Sequence, residues 1–256
     1  KSFDEKKILK KINHINSAYV YKKFKTIDAL KYEKYFFKKK DKLFLINDEV
    51  VIKNDLYIPK NLKVLIKPNQ KIILINNSFI ISNSPWIIKG GKDEVIIGGK
   101  TNNFGGGILI TDTNETSIIQ NVKFSNLAGF QQNSSSEFLI YGAMNFHSTK
   151  VEIDNVQFKN IYSEDALNVF NSNFSISKTK FKDISSDAVD IDFSNGKIEL
   201  SNFENVKNDG IDFSGSDAIV YDVKFKNIND KVISVGEKSN IQILKINAQD
   251  SFAGIV

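Results

Sequence analysis

The 256-residue sequence contains no cysteine and no arginine, one methionine, one tryptophan and three prolines. Without cysteine there is no disulfide framework and no thiolate metal site, and the redox compartment is left undetermined. Without arginine the chain lacks the side chain best suited to bidentate recognition of phosphate and carboxylate. That argues against a nucleic-acid partner, although the formal net charge is +5. No apolar run approaches the roughly 18–20 residues a membrane helix requires. The start at Lys1 carries no charged-then-apolar signal pattern. A finish in "DSFAGIV", partway through an apolar pattern, predicts a fragment of a longer chain.

What is present is unevenly distributed. Residues 1–42 hold 14 lysines against five acids, a net charge of +9, whereas the remainder carries −4. Abundant Lys, Asn and Ile are also what an AT-rich coding sequence produces, so basicity by itself assigns no partner. "SFDEKKILKKINHI", residues 2–15, reads as an amphipathic helix, with Ser2 and Glu5 at capping-box spacing. Residues 21–43 mix aromatics with lysine and are open to a second helix, a membrane-facing patch or a linker. Residues 1–42 are therefore expected to be a helical, basic cap or linker, and residues 43–256 a separate β-rich unit.

From Leu43 onward, short runs such as "LFLI", "LKVLI" and "KIILI" are rich in Ile and Val and bounded by turn formers. They are too short for helices and suit strands. In the second half a repeat emerges. Phe158, Phe181, Phe203 and Phe225 recur at intervals of 23, 22 and 22, each followed two residues later by Asn160, Asp183, Asn205 or Asn227. Leu167, Val189, Ile211 and Ile233 hold a strict 22, as do Val169, Ile191, Phe213 and Val235. The Leu-x-x-Leu-x-Leu frame of a leucine-rich horseshoe is absent. The spacing instead predicts an all-β, right-handed parallel β-helix of about 22 residues per coil.

These columns resemble right-handed parallel β-helix proteins over residues 45–256, a group that includes pectate and alginate lyases, polygalacturonases, C5-epimerases and phage tailspikes. "EDALN", "SDAVDIDFSNG", "NDGIDFSGS" and "DKVISVGEKS" are similar to β-helix segments of uncharacterised bacterial surface proteins, some associated with CotH-type domains. The resemblance implies an extracellular or cell-surface protein that meets polysaccharide. Fold alone does not fix chemistry.

Chemistry is sought on the outward positions. Strand alternation that buries Val189 and Ile191 turns Asp190 and Asp192 outward. The register then aligns Asn145, Asn168, Asp190, Asp212 and Ser234 in one column. His147, Phe170, Asp192, Ser214 and Gly236 form the next. Asp165, Asp187 and Asp209 form a third column at the turn before each strand, where aspartate commonly caps. Two carboxylates one strand spacing apart, as for Asp190 and Asp212, repel by roughly 3–4 kcal/mol at an effective dielectric of 20. A shared proton, a bound Ca²⁺ on Asp190, Asp192 and Asp212, or splaying into water would relieve this. Exposed acids also stop a strand face from pairing with other sheets, yet aspartate is depleted on strands.

Two functions follow. In the first, the protein modifies a polysaccharide as a lyase, glycoside hydrolase or C5-epimerase, with catalytic candidates Asp190, Asp192, Asp212 and His147. Asn145, Asn168, Phe170 and Ser214 would bind substrate. In hydrolase form, Asp190 and Asp212 divide acid and base roles. In lyase or epimerase form, Ca²⁺ holds a uronate carboxylate while His147 or a lysine takes the C5 proton. The departures are that Arg-x-Lys and Gly-His-Gly motifs of the polygalacturonases are missing, as is the arginine base of pectate lyases. In the second, the stacked face is a non-catalytic surface module binding glycan or protein, with calcium as a stabiliser. Trp86 is a further sugar-stacking candidate, Lys150 is one lysine among many, and Ala128–Phe138 is a polar excursion of the kind that walls a groove. "GGKTNNFGGG" lacks the frame of a phosphate loop and reads as turns.

Overall fold

The structure, a computed structural model, describes residues 32–130 and 140–256. The expected helix over residues 2–15 and most of the polar excursion lie outside the described residues. The rest is all-β: a parallel β-solenoid of about nine turns with about 23 residues per turn. Each coil crosses three faces. One runs through Lys42–Leu45, Lys63–Ile66 and Trp86–Lys89, the next through Glu49–Ile52, Lys71–Leu74 and Val95–Gly98. The third is a nine-stranded parallel sheet that includes Gly142–His147, Asp165–Phe170, Asp187–Asp192 and Ile211–Ser214. Long strands such as Ser117–Leu127 and Asp217–Ile228 span the first two faces in one piece.

The corners explain the recurrent Asn and Asp. In consecutive coils one corner is occupied by Asn126, Asn160, Asp183, Asn205, Asn227 and Asp250, all with φ between 51° and 58°. Turning a strand into the next face needs a left-handed residue, and Asn and Asp tolerate that region better than other non-glycine residues. Their side chains then ladder: Asn205 Nδ2 donates to Asp183 Oδ1 at 2.7 Å and Asn227 Nδ2 to Asn205 Oδ1 at 2.8 Å. Another corner places Leu200 in the same region, at φ 53° and 43% exposed. A γ-branched side chain gains little there to offset a left-handed cost of roughly 1–2 kcal/mol. Leu200→Asn is therefore expected to stabilise the protein by about 1 kcal/mol, read as a higher urea midpoint at unchanged slope. An unchanged or lower midpoint would show that this corner is not strained.

The interior holds the periodic apolar columns. Phe158, Phe181, Phe203 and Phe225 stack with centroid separations of 4.9, 4.7 and 4.8 Å, and Phe124 extends the pile by one ring at 5.0 Å. A second internal ladder was not read from the sequence. Ser172, Ser194 and Ser216 are buried just past a corner. Each hydroxyl oxygen accepts the backbone N–H of the corresponding residue one coil earlier, Thr149, Ser172 and Ser194, at 3.0–3.1 Å. The Ser172 and Ser194 hydroxyls also donate to the carbonyl two residues back, at 2.8 and 2.7 Å. Buried corner groups are thereby satisfied without water.

At the N-terminal end, Phe36–Lys39 is a strand, within the segment read as a helical or linker region. It pairs antiparallel with Lys42–Leu45 through a turn at Lys40, where φ is 57°. Phe36 is 1% exposed, and Tyr32 and Tyr35 pack partly buried against the core, so this hairpin covers the first coil. Among the described residues no helix is long and apolar enough to cross a membrane.

Candidate functional site

The register on the third face places every outward candidate where the 22-residue spacing put it. Asn145, Asn168, Asp190, Asp212 and Ser234 are successive strand partners. His147, Phe170, Asp192, Ser214 and Gly236 are partners in the adjacent column. Earlier coils present apolar side chains outward in their place. Phe79, Ile81 and Leu109 form a small cluster sealed by Ile140, with Tyr57 and Phe130 packed against it. The outer surface thus passes from apolar through amide to acidic.

The amides are less accessible than strand alternation alone suggests. Asn145 is fully buried, with Nδ2 donating to the carbonyls of Gly142 (2.7 Å) and Ile108 (3.1 Å) and Oδ1 accepting from Gly142 N–H (2.9 Å). Its polar atoms are spent on holding the chain at Gly142 against the sheet. A Cβ at Gly142 would lie 2.7 Å from Asn145 Oδ1 and 3.0 Å from Asn168 Cβ, so this approach requires glycine. Asn168, 3% exposed, is the hub of the site. Its Nδ2 donates to Asp190 Oδ2 at 2.9 Å and to Asp165 Oδ2 at 3.1 Å. Its Oδ1 lies 2.9 Å from His147 Nε2. Since that amide oxygen can only accept, Nε2 carries the proton and Nδ1 keeps its lone pair. Burial pulls the His147 imidazole down to about 4, so it is neutral at pH 7 and a weak base.

The acids respond to burial and to one another. Burial first, then the charges of Asp192, Asp212 and Asp187, pushes the Asp190 carboxyl up to about 8. Asp192 rises to about 6, from burial and then from Asp212 and Glu237. Asp165 is 2% exposed and held well above the carboxylate range, chiefly by burial, with Asp190 and Asp187 adding to it. The repulsion anticipated for stacked carboxylates is accordingly relieved by protonation, with Asp190 neutral and Asp192 mostly ionised near pH 7.

The turn column does structural work. Asp187 Oδ1 accepts the Asp209 N–H at 2.7 Å and the Asn208 amide at 2.6 Å. Asp209 in turn accepts the Lys231 N–H at 2.9 Å and pairs with Lys231 Nζ at 3.1 Å. Asp190, Asp192 and Asp212 were the expected Ca²⁺ ligands. Among the described residues, no group of three or more His, Cys, Asp or Glu is arranged to hold a metal ion. Asp190 Oδ2 accepts the Asn168 amide at 2.9 Å.

One residue that the sequence reading passed over belongs here. Tyr141 immediately precedes Gly142, and burial followed by the charges of Glu164, Asp165, Asp190 and Asp192 raises its phenol. Carrying the row of Glu164 back 23 residues would have found it. On the other side, Phe170 contacts His147 at 5.6 Å and Phe193 at 5.9 Å, and Phe193 is 41% exposed. Aromatic side chains thus flank the acids. Trp86 does not join them, being fully buried in the solenoid core.

No protein-family model matches the chain, and no curated protein does. Among solved structures it is similar to the Streptococcus pneumoniae surface protein and adhesin PfbA, at 11% identity over 79% of this chain and 68% of that one, with a TM-score of 0.32. It is also similar to a double mutant of the periplasmic alginate epimerase AlgG, at 8% identity, 86% and 80% coverage and a TM-score of 0.27. A third is the Azotobacter vinelandii mannuronan C-5 epimerase AlgE4 A-module, at 9% identity, 81% and 88% coverage and a TM-score of 0.29. Likenesses this distant carry nothing about chemistry. The parallel fold stands on this chain's own strand register.

Proposed function

We propose that the protein is a polysaccharide-modifying β-solenoid, acting as a glycoside hydrolase through Asp190 and Asp212. The observation that carries this reading is the stacking of these two aspartates on adjacent rungs of one outward column, with Asp190 held by Asn168 and Asp192 beside them. Glycosidic cleavage needs one protonated and one ionised carboxyl flanking the bond. Burial and neighbouring charge keep Asp190 protonated at neutral pH, which suits it to protonate the leaving oxygen. Asp212 then serves as the opposing carboxylate, and Asp192 sets the proton affinity of its neighbour. Adjacent rungs lie about 4.8 Å apart. That is close to the roughly 5–5.5 Å of retaining enzymes and short of the roughly 6.5–9.5 Å of inverting ones.

The epimerase and lyase forms fit the residues less well. Removing a C5 proton requires an effective base and something to neutralise the adjoining carboxylate. His147 is a weak base whose Nε2–H is spent on orienting Asn168. The chain has no arginine, and the face is lined with acids. An extracellular setting, where polysaccharide is met, belongs to the same proposal.

The test is a panel of neutral and acidic glycans assayed for new reducing ends, with the anomer of the first product read by NMR. A neutral glycan is expected to be cleaved with retention, with turnover falling on the alkaline side as pH passes about 8 and the general acid loses its proton. Unsaturated or epimerised uronate products would replace this reading with a lyase or an epimerase. Binding without turnover would favour the non-catalytic module, for which the exposed ring of Phe193 beside Phe170 supplies the sugar contact.

A further inference from the structure

A second like-charged ladder lies on a different face, at the N-terminal end. Lys39 is the strand partner of Lys42, and Lys42 of Lys63, so three lysines stand on successive rungs about 4.8 Å apart. Lys63 is paired with Glu115 at 2.7 Å, whereas Lys39, Lys40 and Lys42 have no carboxylate partner among the described residues. The ladder borders a groove of about 610 Å³ lined by Lys39, Lys40, Asp41, Lys42, Phe44 and Lys63. In the next outward row Phe37 stacks on Phe44, with centroids 5.3 Å apart and planes at 20°, and Phe37 is 49% exposed. Lys67 Nζ lies 5.8 Å from the Phe44 ring.

We propose that this groove binds a linear polyuronate, separately from the acidic face. Two unpaired ammonium groups in register, Lys39 and Lys42, with the Glu115-bound Lys63 on the next rung, match a polymer whose charge recurs once per sugar, at a repeat near the strand spacing. The Phe37–Phe44 pair offers a ring face to the apolar side of a sugar. Lysine supplies point charges suited to single carboxylates, whereas the absence of arginine removes the fork favoured for phosphodiesters. A concave groove accepts a chain better than a bilayer surface. The proposal does not rest on the hydrolase reading: the groove would hold the protein on an acidic matrix whether or not the third face turns over substrate.

Calorimetric titration of the full chain with a hexameric oligogalacturonate tests it. Binding is expected, weakening about tenfold as salt rises from low to physiological strength and beyond. It should be absent for the same oligomer with its carboxyls reduced to alcohols. The Lys39→Gln, Lys42→Gln double variant is expected to bind at least tenfold more weakly with an unchanged melting temperature, because both side chains are exposed. Asp190→Asn should bind the oligomer as the parent does. The proposal is overturned by absence of binding, by indifference to the lysine pair, by an equal loss in Asp190→Asn, or by tighter binding to single-stranded RNA or anionic vesicles.

Discussion

Asp190→Asn is expected to lower turnover of the responsive glycan by 10²–10⁴-fold, the usual contribution of a general acid, while making the protein more stable at alkaline pH. Both effects come from one property. The native carboxyl titrates near 8, whereas an unfolded aspartate titrates near 3.9. Between those values the folded state holds a proton that the unfolded state has released. The group's favourable contribution is therefore intact below the unfolded value and is lost as pH climbs toward 8, at up to about 1.4 kcal/mol per unit. Asparagine has no proton to lose, and its side-chain oxygen can still accept from Asn168 Nδ2. Urea denaturation should show the parent losing several kcal/mol between pH 5 and pH 9 and the variant losing much less. Parallel pH dependence in the two proteins would mean that Asp190 is solvated and ionised, and the acid role would fall with it.

Phe181→Ala is expected to cost about 3–5 kcal/mol, the range for truncating a buried phenylalanine. Phe181 is 1% exposed and lies between Phe158 and Phe203, at 4.9 and 4.7 Å with interplanar angles of 3° and 10°. Its removal opens a gap in a pile that is continuous from Phe124 to Phe225, and rings anchored in neighbouring strands cannot slide together to close it. Phe181→Leu should recover more than half of the loss. In a solenoid each coil contacts only its neighbours, so hydrogen exchange should rise most in the coils around Phe181. A loss below about 1 kcal/mol would show that the ring stack does not hold the coils together.

The interior and its register were legible because each inward position repeats at 22 or 23 residues, and a buried apolar column leaves the same residue class at each return. The Asn and Asp two residues past each Phe were visible for the same reason. The outward faces were legible only in part. The spacing brought Asp190 beside Asp212, yet it said nothing of what covers them. Asn145 and Asn168 face outward and are nevertheless buried, Asn145 bonded to the backbone of Gly142 and Ile108 and Asn168 to the side chains of Asp165, Asp190 and His147, and strand alternation does not show such bonds. Tyr141 sits just past the polar excursion and was missed with it. The serine ladder was hidden by chemistry rather than by spacing: Ser172, Ser194 and Ser216 recur at 22, but serine beside Asn and Gly reads as an ordinary turn former. The Lys39–Lys42–Lys63 row needed an antiparallel hairpin that no repeat announces.

Because each corner from Gly142 onward has its own left-handed residue, the coil there is a unit of length as well as of stability. Whole coils could be gained or lost between the lysine groove and the aspartate face without disturbing the register of either. Each such change would move the two faces by one strand spacing, about 4.8 Å. The solenoid is in that sense a graduated ruler, on which the distance between the lysine groove and the aspartate face is adjustable only in whole rungs.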